Sequence, residues 1–184
     1  METNTYNIYL FKALDAYPYE LETTIESLNY ALSYEADNAF ALTLMAKVYG
    51  YQLQDLETAK HYFELALAAN MDVPGIYVDY VNILIRNDDY EQAQKLIDYA
   101  MGVKATDKAL LQLLQGHLLE AQMQLKEAKK AFKKAAKLGM NNDFISFANR
   151  EKERVVNKLP GKNKKKKKKN KSKKRKEKSK GRSK

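Results

Sequence analysis

Self-repetition constrains this chain more than any other feature. Four triplets of small, large and small residues share an internal spacing of four and then three: Thr24–Leu28–Ala31, Ala59–Phe63–Ala66, Ala93–Ile97–Ala100 and Ala128–Phe132–Ala135. Successive triplets are offset by 35, 34 and 35 residues. Each sits in a helix-forming run, such as TTIESLNYALSYE or AKHYFELALAAN. A small residue lets two antiparallel helix backbones approach, and the large residue one turn later fills the neighbouring groove. The second small residue makes room for the next pair. One pair cannot bury its apolar face alone, so several must stack to share a core.

The partner helix of each unit carries its own small position upstream. Ala46, Val81 and Gly116 lie 13, 12 and 12 residues before Ala59, Ala93 and Ala128. Around them Leu42, Met45 and Tyr49, then Tyr77, Tyr80 and Leu84, recur at the i, i+3, i+7 spacing of one helical face. Turns are expected at YQLQDLE (51–57), RNDDYE (86–91) and QMQLKE (122–127), where Asp55, Asp88 and Asp89 suit turn or cap positions. Gly and Pro number only 7 and 3, too few for the turns of a sandwich or barrel.

This period and signature resemble the tetratricopeptide repeat over roughly residues 6–140. The resemblance implies an all-α solenoid of stacked antiparallel helix pairs, about four units at 5–37, 38–72, 73–106 and 107–140. The first unit departs from the pattern, with Lys12 or Ala13 at the small position and Pro18 interrupting. After Gly139, a segment over 142–159 reads as a capping helix with Phe144, Phe147, Ala148 and Val155 on its apolar side, started by Asn142 or Asp143. The repeat domain is thus expected to span 1–159, and residues 160–184 to form a disordered polybasic tail.

Charge divides at the same place. Residues 158–184 hold 17 Lys and Arg and one acid, whereas the other 157 residues hold 16 basic and 22 acidic groups. Such asymmetry marks the tail as an electrostatic interaction element. A second basic feature precedes it, because Lys126, Lys130, Lys133 and Lys137 fall along one side of a helix. Lysine runs bind polyphosphate backbones by releasing counterions. With no aromatic residues between the lysines, base stacking and sequence readout find no support. The nucleic-acid-binding set is therefore Lys126, Lys130, Lys133 and Lys137 with Lys164, Lys165, Lys166, Lys167, Lys168, Lys169, Lys173, Lys174, Arg175 and Lys176, and the favoured polyanion is RNA or a ribonucleoprotein. The other readings of the tail are an anionic membrane surface, or an import or solubility element on a self-associating scaffold.

Nothing in the sequence points to catalysis. His61 and His117, the only histidines, are read as packing or surface residues in different helices without carboxylates at ligand spacing, so no metal and no cofactor is expected. There is no phosphate-binding glycine loop or nucleophile motif. The absence of Cys removes thiolate chemistry and disulfides. No apolar run approaches the roughly 18 residues of a membrane span, and the N-terminus lacks a basic leader. A cytoplasmic protein is expected, with nuclear import open to it in a eukaryote.

The resemblance also implies a ligand groove lined by the first helix of each unit, taking a protein segment. By position, its residues here are Thr43, Lys47, Tyr51, Val78, Asn82, Arg86, Leu113 and His117, with Tyr9 as a further aromatic candidate. Lys47, Asn82 and Arg86 resemble part of a clamp for a C-terminal carboxylate, but Asp79 and Leu113 stand where more polar or basic members are needed. A mixed apolar and polar segment is the better expectation.

Overall fold

The computed structural model describes residues 7–160. The expected tail beyond Pro160 lies outside the described residues. Within them the chain is all helix and turn: α1 (Ile8–Ala16), α2 (Leu21–Tyr34), α3 (Ala39–Lys47), α4 (Leu56–Ala69), α5 (Pro74–Arg86), α6 (Tyr90–Ala100), α7 (Lys108–Ala121), α8 (Leu125–Leu138) and α9 (Asn142–Lys158). Consecutive helices pack in pairs, α1 with α2 through α7 with α8, and α9 lies against α8.

The triplets explain the stack. All twelve of their residues are buried, with Ala31, Ala59, Phe63, Ala66, Ala93, Ala100, Ala128, Phe132 and Ala135 fully inaccessible. The partner positions Ala46 and Val81 are equally closed. One cluster runs from Leu42 and Ala46 through Phe63 and Ile83 to Leu114 and Leu118, so α3 to α7 share a continuous core. A second joins Ala13, Leu28 and Ala31 to Leu44 and Met45. A third joins Leu113, Ala128 and Phe132 to Ala148 and Val155 of α9. Each helix pair is thus closed by its neighbours.

Turns within the pairs repeat as well. Gln54, Asp88 and Met123 all adopt positive φ, at 59°, 61° and 61°. In two of these turns the next residue folds its N–H back over six residues, Asp89 to the Leu84 carbonyl (2.9 Å) and Gln124 to the Leu119 carbonyl (2.8 Å). This closure satisfies carbonyls that the helix end leaves open. The Asp55 carboxylate caps α4 by accepting from the Thr58 N–H at 3.0 Å. Asp89 instead takes Lys60 at 2.6 Å.

Two expectations need correction. The turn expected from Tyr51 begins later, because α3 continues through a π-helical segment, Val48–Leu53. Its closing bond spans one residue more than the other two turns, from the Asp55 N–H to the Tyr49 carbonyl at 2.9 Å. Widening the helix absorbs the additional residue between Ala46 and Ala59 without moving either from the core. The cap of α9 is Asn141, which accepts from the Phe144 N–H at 2.7 Å, rather than Asn142 or Asp143.

Gly116 shows how tight the packing is. A Cβ there would lie 2.5 Å from Cε1 of the buried Phe132 ring. Gly116→Ala should therefore lower stability by about 1–3 kcal/mol through overpacking. At Gly75 a Cβ meets nothing within 4 Å, so Gly75→Ala should be neutral or gain up to about 1 kcal/mol from helix propensity. Chemical denaturation followed by far-UV circular dichroism measures both.

Candidate functional site

The first helices of the second and third pairs bring five polar residues into one network. Lys47 and Tyr51 are four residues apart, and Asp79, Asn82 and Arg86 follow the i, i+3, i+7 row of α5. The Tyr51 hydroxyl donates to Asp79 Oδ1 at 3.0 Å and accepts from Asn82 Nδ2 at 3.2 Å. Lys47 Nζ lies 3.3 Å from Asp79 Oδ2. The Arg86 guanidinium sits 5.7 Å from the centre of the Tyr51 ring. One of its arms donates to the Gly50 carbonyl at 2.9 Å, and the other donates to Gln54.

The π-helical segment makes this network possible. It carries Tyr51 on with the helix and lets the chain at Gly50 approach α5, where a Cβ would lie 2.5 Å from Ile83 Cδ1. Such segments are rare and are frequently found at functional sites. Burial, then the Asp79 charge, pushes the Tyr51 hydroxyl well above its ordinary range. The phenol therefore stays protonated and acts as a fixed hydrogen-bond link. Two cations and one carboxylate leave a modest positive balance.

The other expected groove residues are placed differently. Thr43 donates its hydroxyl to the Ala39 carbonyl at 2.6 Å, so its proton is turned back onto its own helix. Val78 is half-buried against the shared core. Leu113 is only 5% exposed and belongs to the cluster with Ala148 and Val155. His117 packs edge-on against Phe132, with ring centres 5.1 Å apart, and its Nδ1 lies 3.8 Å from Glu151. Leu113 is thus closed within the core, whereas His117 stays partly exposed beside Glu151 of α9. Tyr9 stacks on α2 residues and contributes nothing to the network around Tyr51.

A second polar cluster was missed in the sequence. His117, Glu120 and Glu151 bring ligand-type atoms within 4.8 Å of one another. Glu120 is three residues beyond His117, a spacing that does put a carboxylate beside the imidazole. Its carboxylate is already engaged by Arg154, through two hydrogen bonds of 2.5 Å, and by Lys158 at 2.6 Å. Arg154 also bonds Glu151 at 2.5 Å. The cluster is an ion-pair clasp between α7 and α9. Burial holds the His117 pKa below its ordinary value, against the raising effect of Glu151, so the ring is neutral at neutral pH.

Lys126, Lys130, Lys133 and Lys137 are exposed on α8, opposite its buried Ala128, Ala131, Phe132 and Ala135. Among the described residues none of the four forms an ion pair. Lys164, Lys165, Lys166, Lys167, Lys168, Lys169, Lys173, Lys174, Arg175 and Lys176 lie outside the described residues.

The clasp should be visible in pH-dependent stability. Burial alone would raise the Glu120 pKa, but hydrogen bonds from Arg154 and Lys158 outweigh it and hold the carboxyl below its ordinary value. A depressed carboxylate stabilises the fold above its unfolded pKa, and that contribution fades as pH falls through the folded value. Arg154→Ala should cost about 1–2 kcal/mol at neutral pH, below the full buried-pair penalty because the arginine is partly exposed. The difference between variant and wild type should shrink on acidification below the carboxylate range. Urea unfolding at a series of pH values tests this.

Comparison with known proteins agrees with the architecture. The tetratricopeptide repeat family model matches residues 51–118. No curated protein matches the chain. Among solved structures, "MamA 41-end from Desulfovibrio magneticus RS-1" is similar at TM-score 0.63 and 16% identity, over 82% of this chain and 92% of that one. The "MamA RS-1 ArsTM double mutant" is similar with the same values: TM-score 0.63, 16% identity, 82% and 92% coverage. The chain therefore has the fold of a helical solenoid, with a tetratricopeptide repeat match at its centre.

Proposed function

We propose that this chain is a non-catalytic adaptor that holds a protein segment on the first-helix face of its repeats and docks on RNA or a ribonucleoprotein through its basic end. The observation that carries the first half is the Lys47–Tyr51–Asp79–Asn82–Arg86 network. It joins two successive first helices into one polar surface whose aromatic and cationic groups are preorganised, and preorganisation lowers the ordering cost of binding. Its groups serve to bind. The phenol is held protonated, with its hydrogen bond to Asp79 fixing its direction.

The second half rests on charge. Residues 126–184 carry 26 basic and five acidic groups, whereas residues 1–125 carry seven and 18. The α8 lysines add an ordered stripe to the sequence excess of the tail. A polyphosphate backbone is the partner that such a stripe fits without sequence preference.

Affinity capture with the full chain and with a chain ending at Gly161, each with and without nuclease, separates the two devices. Partners of the repeat face should survive both nuclease and truncation, and should be lost on combining Asn82→Ala with Arg86→Ala. RNA binding should be lost on truncation. If about five phosphates are contacted, affinity for a generic single strand should fall about a hundredfold between about 50 and 200 mM salt. Equal RNA binding by the truncated chain would remove the docking role from the tail.

A further inference from the structure

The first helix pair carries a surface that the repeat face does not use. Glu22, Glu26, Tyr30 and Tyr34 follow one another at steps of four along α2, forming a single ridge about 18 Å long. All four are exposed, Tyr30 by 49% and Tyr34 by 75%. The Tyr9 ring of α1 stacks on Tyr30 at 5.2 Å and on Tyr34 at 5.7 Å, fixing both rings at the end of the ridge. Glu22 and Glu26 form no ion pair among the described residues. No base nearby in sequence offsets them, since residues 1–46 contain seven acids and the single base Lys12.

Two free carboxylates running into stacked aromatic rings select for one ligand chemistry. Ammonium groups pair with the carboxylates and lie over the ring faces, while lysine stems cover the tyrosine edges. A ridge of about 18 Å accommodates about five or six residues of extended chain. Residues 162–184 of this same chain supply such a segment, with 16 bases and one acid in 23 residues.

We propose that the Glu22–Glu26–Tyr30–Tyr34 ridge docks the lysine-rich segment 162–184 of a second copy of the chain. Distance favours a second copy over the same one. The segment follows α9, three helix pairs beyond α2. With helices packed about 8–10 Å apart, three pairs and the cap place its origin about 30–40 Å from the ridge. To reach the ridge of its own copy, about ten to twelve of the 23 residues would have to be held extended across the stack at about 3.3 Å each, an ordering cost that the segment of a second copy does not carry. The contact is heterologous: each copy offers one ridge and one basic segment, so copies join in an open series. Nothing in this contact requires the repeat face or RNA, so it stands or falls separately from the adaptor reading.

Sedimentation velocity of the nuclease-treated full chain over a range of protein concentrations tests the proposal. The sedimentation coefficient should rise with concentration at about 50 mM salt and return to the single-copy value at about 500 mM, where exposed charges are screened. A labelled peptide of residues 162–184 should bind the full chain about tenfold more weakly when it carries Glu22→Lys with Glu26→Lys. Tyr30→Ser with Tyr34→Ser should weaken it without changing net charge. All four positions are exposed, and circular dichroism checks that the variants fold. A single-copy value at every concentration in low salt would overturn the proposal, whether from no docking or from docking within one copy. Association that needs nucleic acid, or is unchanged by reversing Glu22 and Glu26, would overturn it as well.

Discussion

Close approach of helix backbones at small side chains is the constraint on which this structure depends. Ala46, Ala59, Ala93 and Ala128 are fully inaccessible, a Cβ at Gly116 would meet the Phe132 ring, and Phe63, Ile97 and Phe132 are buried beside them. Density of this kind makes each pair's geometry a condition for the next. The cluster extending from α3 to α7 shows the result, since no pair within it owns a core of its own. Function inherits that rigidity. The side chains between the π-helical segment and α5 meet where the chain at Gly50 comes close against the Ile83 side chain.

Much of this was legible in the chain because volume leaves a periodic trace. The triplets had to recur, and their phase gave the helix pairs. Even the π-helical segment left a mark, as the 13 residues between Ala46 and Ala59 against 12 in the later units. Sequence reasoning registered that difference as spacing, yet expected a turn from Tyr51. Whether a helix absorbs a surplus residue by widening or by ending depends on what its far side packs against. Here that neighbour is α5, which is not local information.

The same distinction explains the site. Lys47, Tyr51, Asn82 and Arg86 were readable as one face because they repeat with the helices that carry them. Leu113 and His117 occupy comparable positions, but they share their surroundings with Ala148, Val155 and Glu151 of α9, and α9 is not a repeat. Its Arg154 and Lys158 reach Glu120 across 34 and 38 residues, a pairing that no local pattern encodes. The cap thus closes the stack with a clasp as well as with Ala148 and Val155. It places Glu151 beside His117, whose side chain remains 30% exposed.

That clasp bears on the polarity of the whole chain. Glu120 and Glu151 are the carboxylates held closest to the cations of α9, and both are consumed in pairing with Arg154, Lys158 or His117. On α8 the single acid Glu127 stands among six lysines, and none of Lys126, Lys130, Lys133 and Lys137 forms an ion pair among the described residues. At the opposite end the carboxylates of α2 are equally uncompensated, because Lys12 is the only base before Lys47. Opposite charges on α2 and α8 are therefore kept apart by the two intervening helix pairs, α3 with α4 and α5 with α6, rather than cancelled in the fold. A solenoid is well suited to this, since its ends touch only their neighbours. The unpaired charge at each end remains available to partners outside the stack.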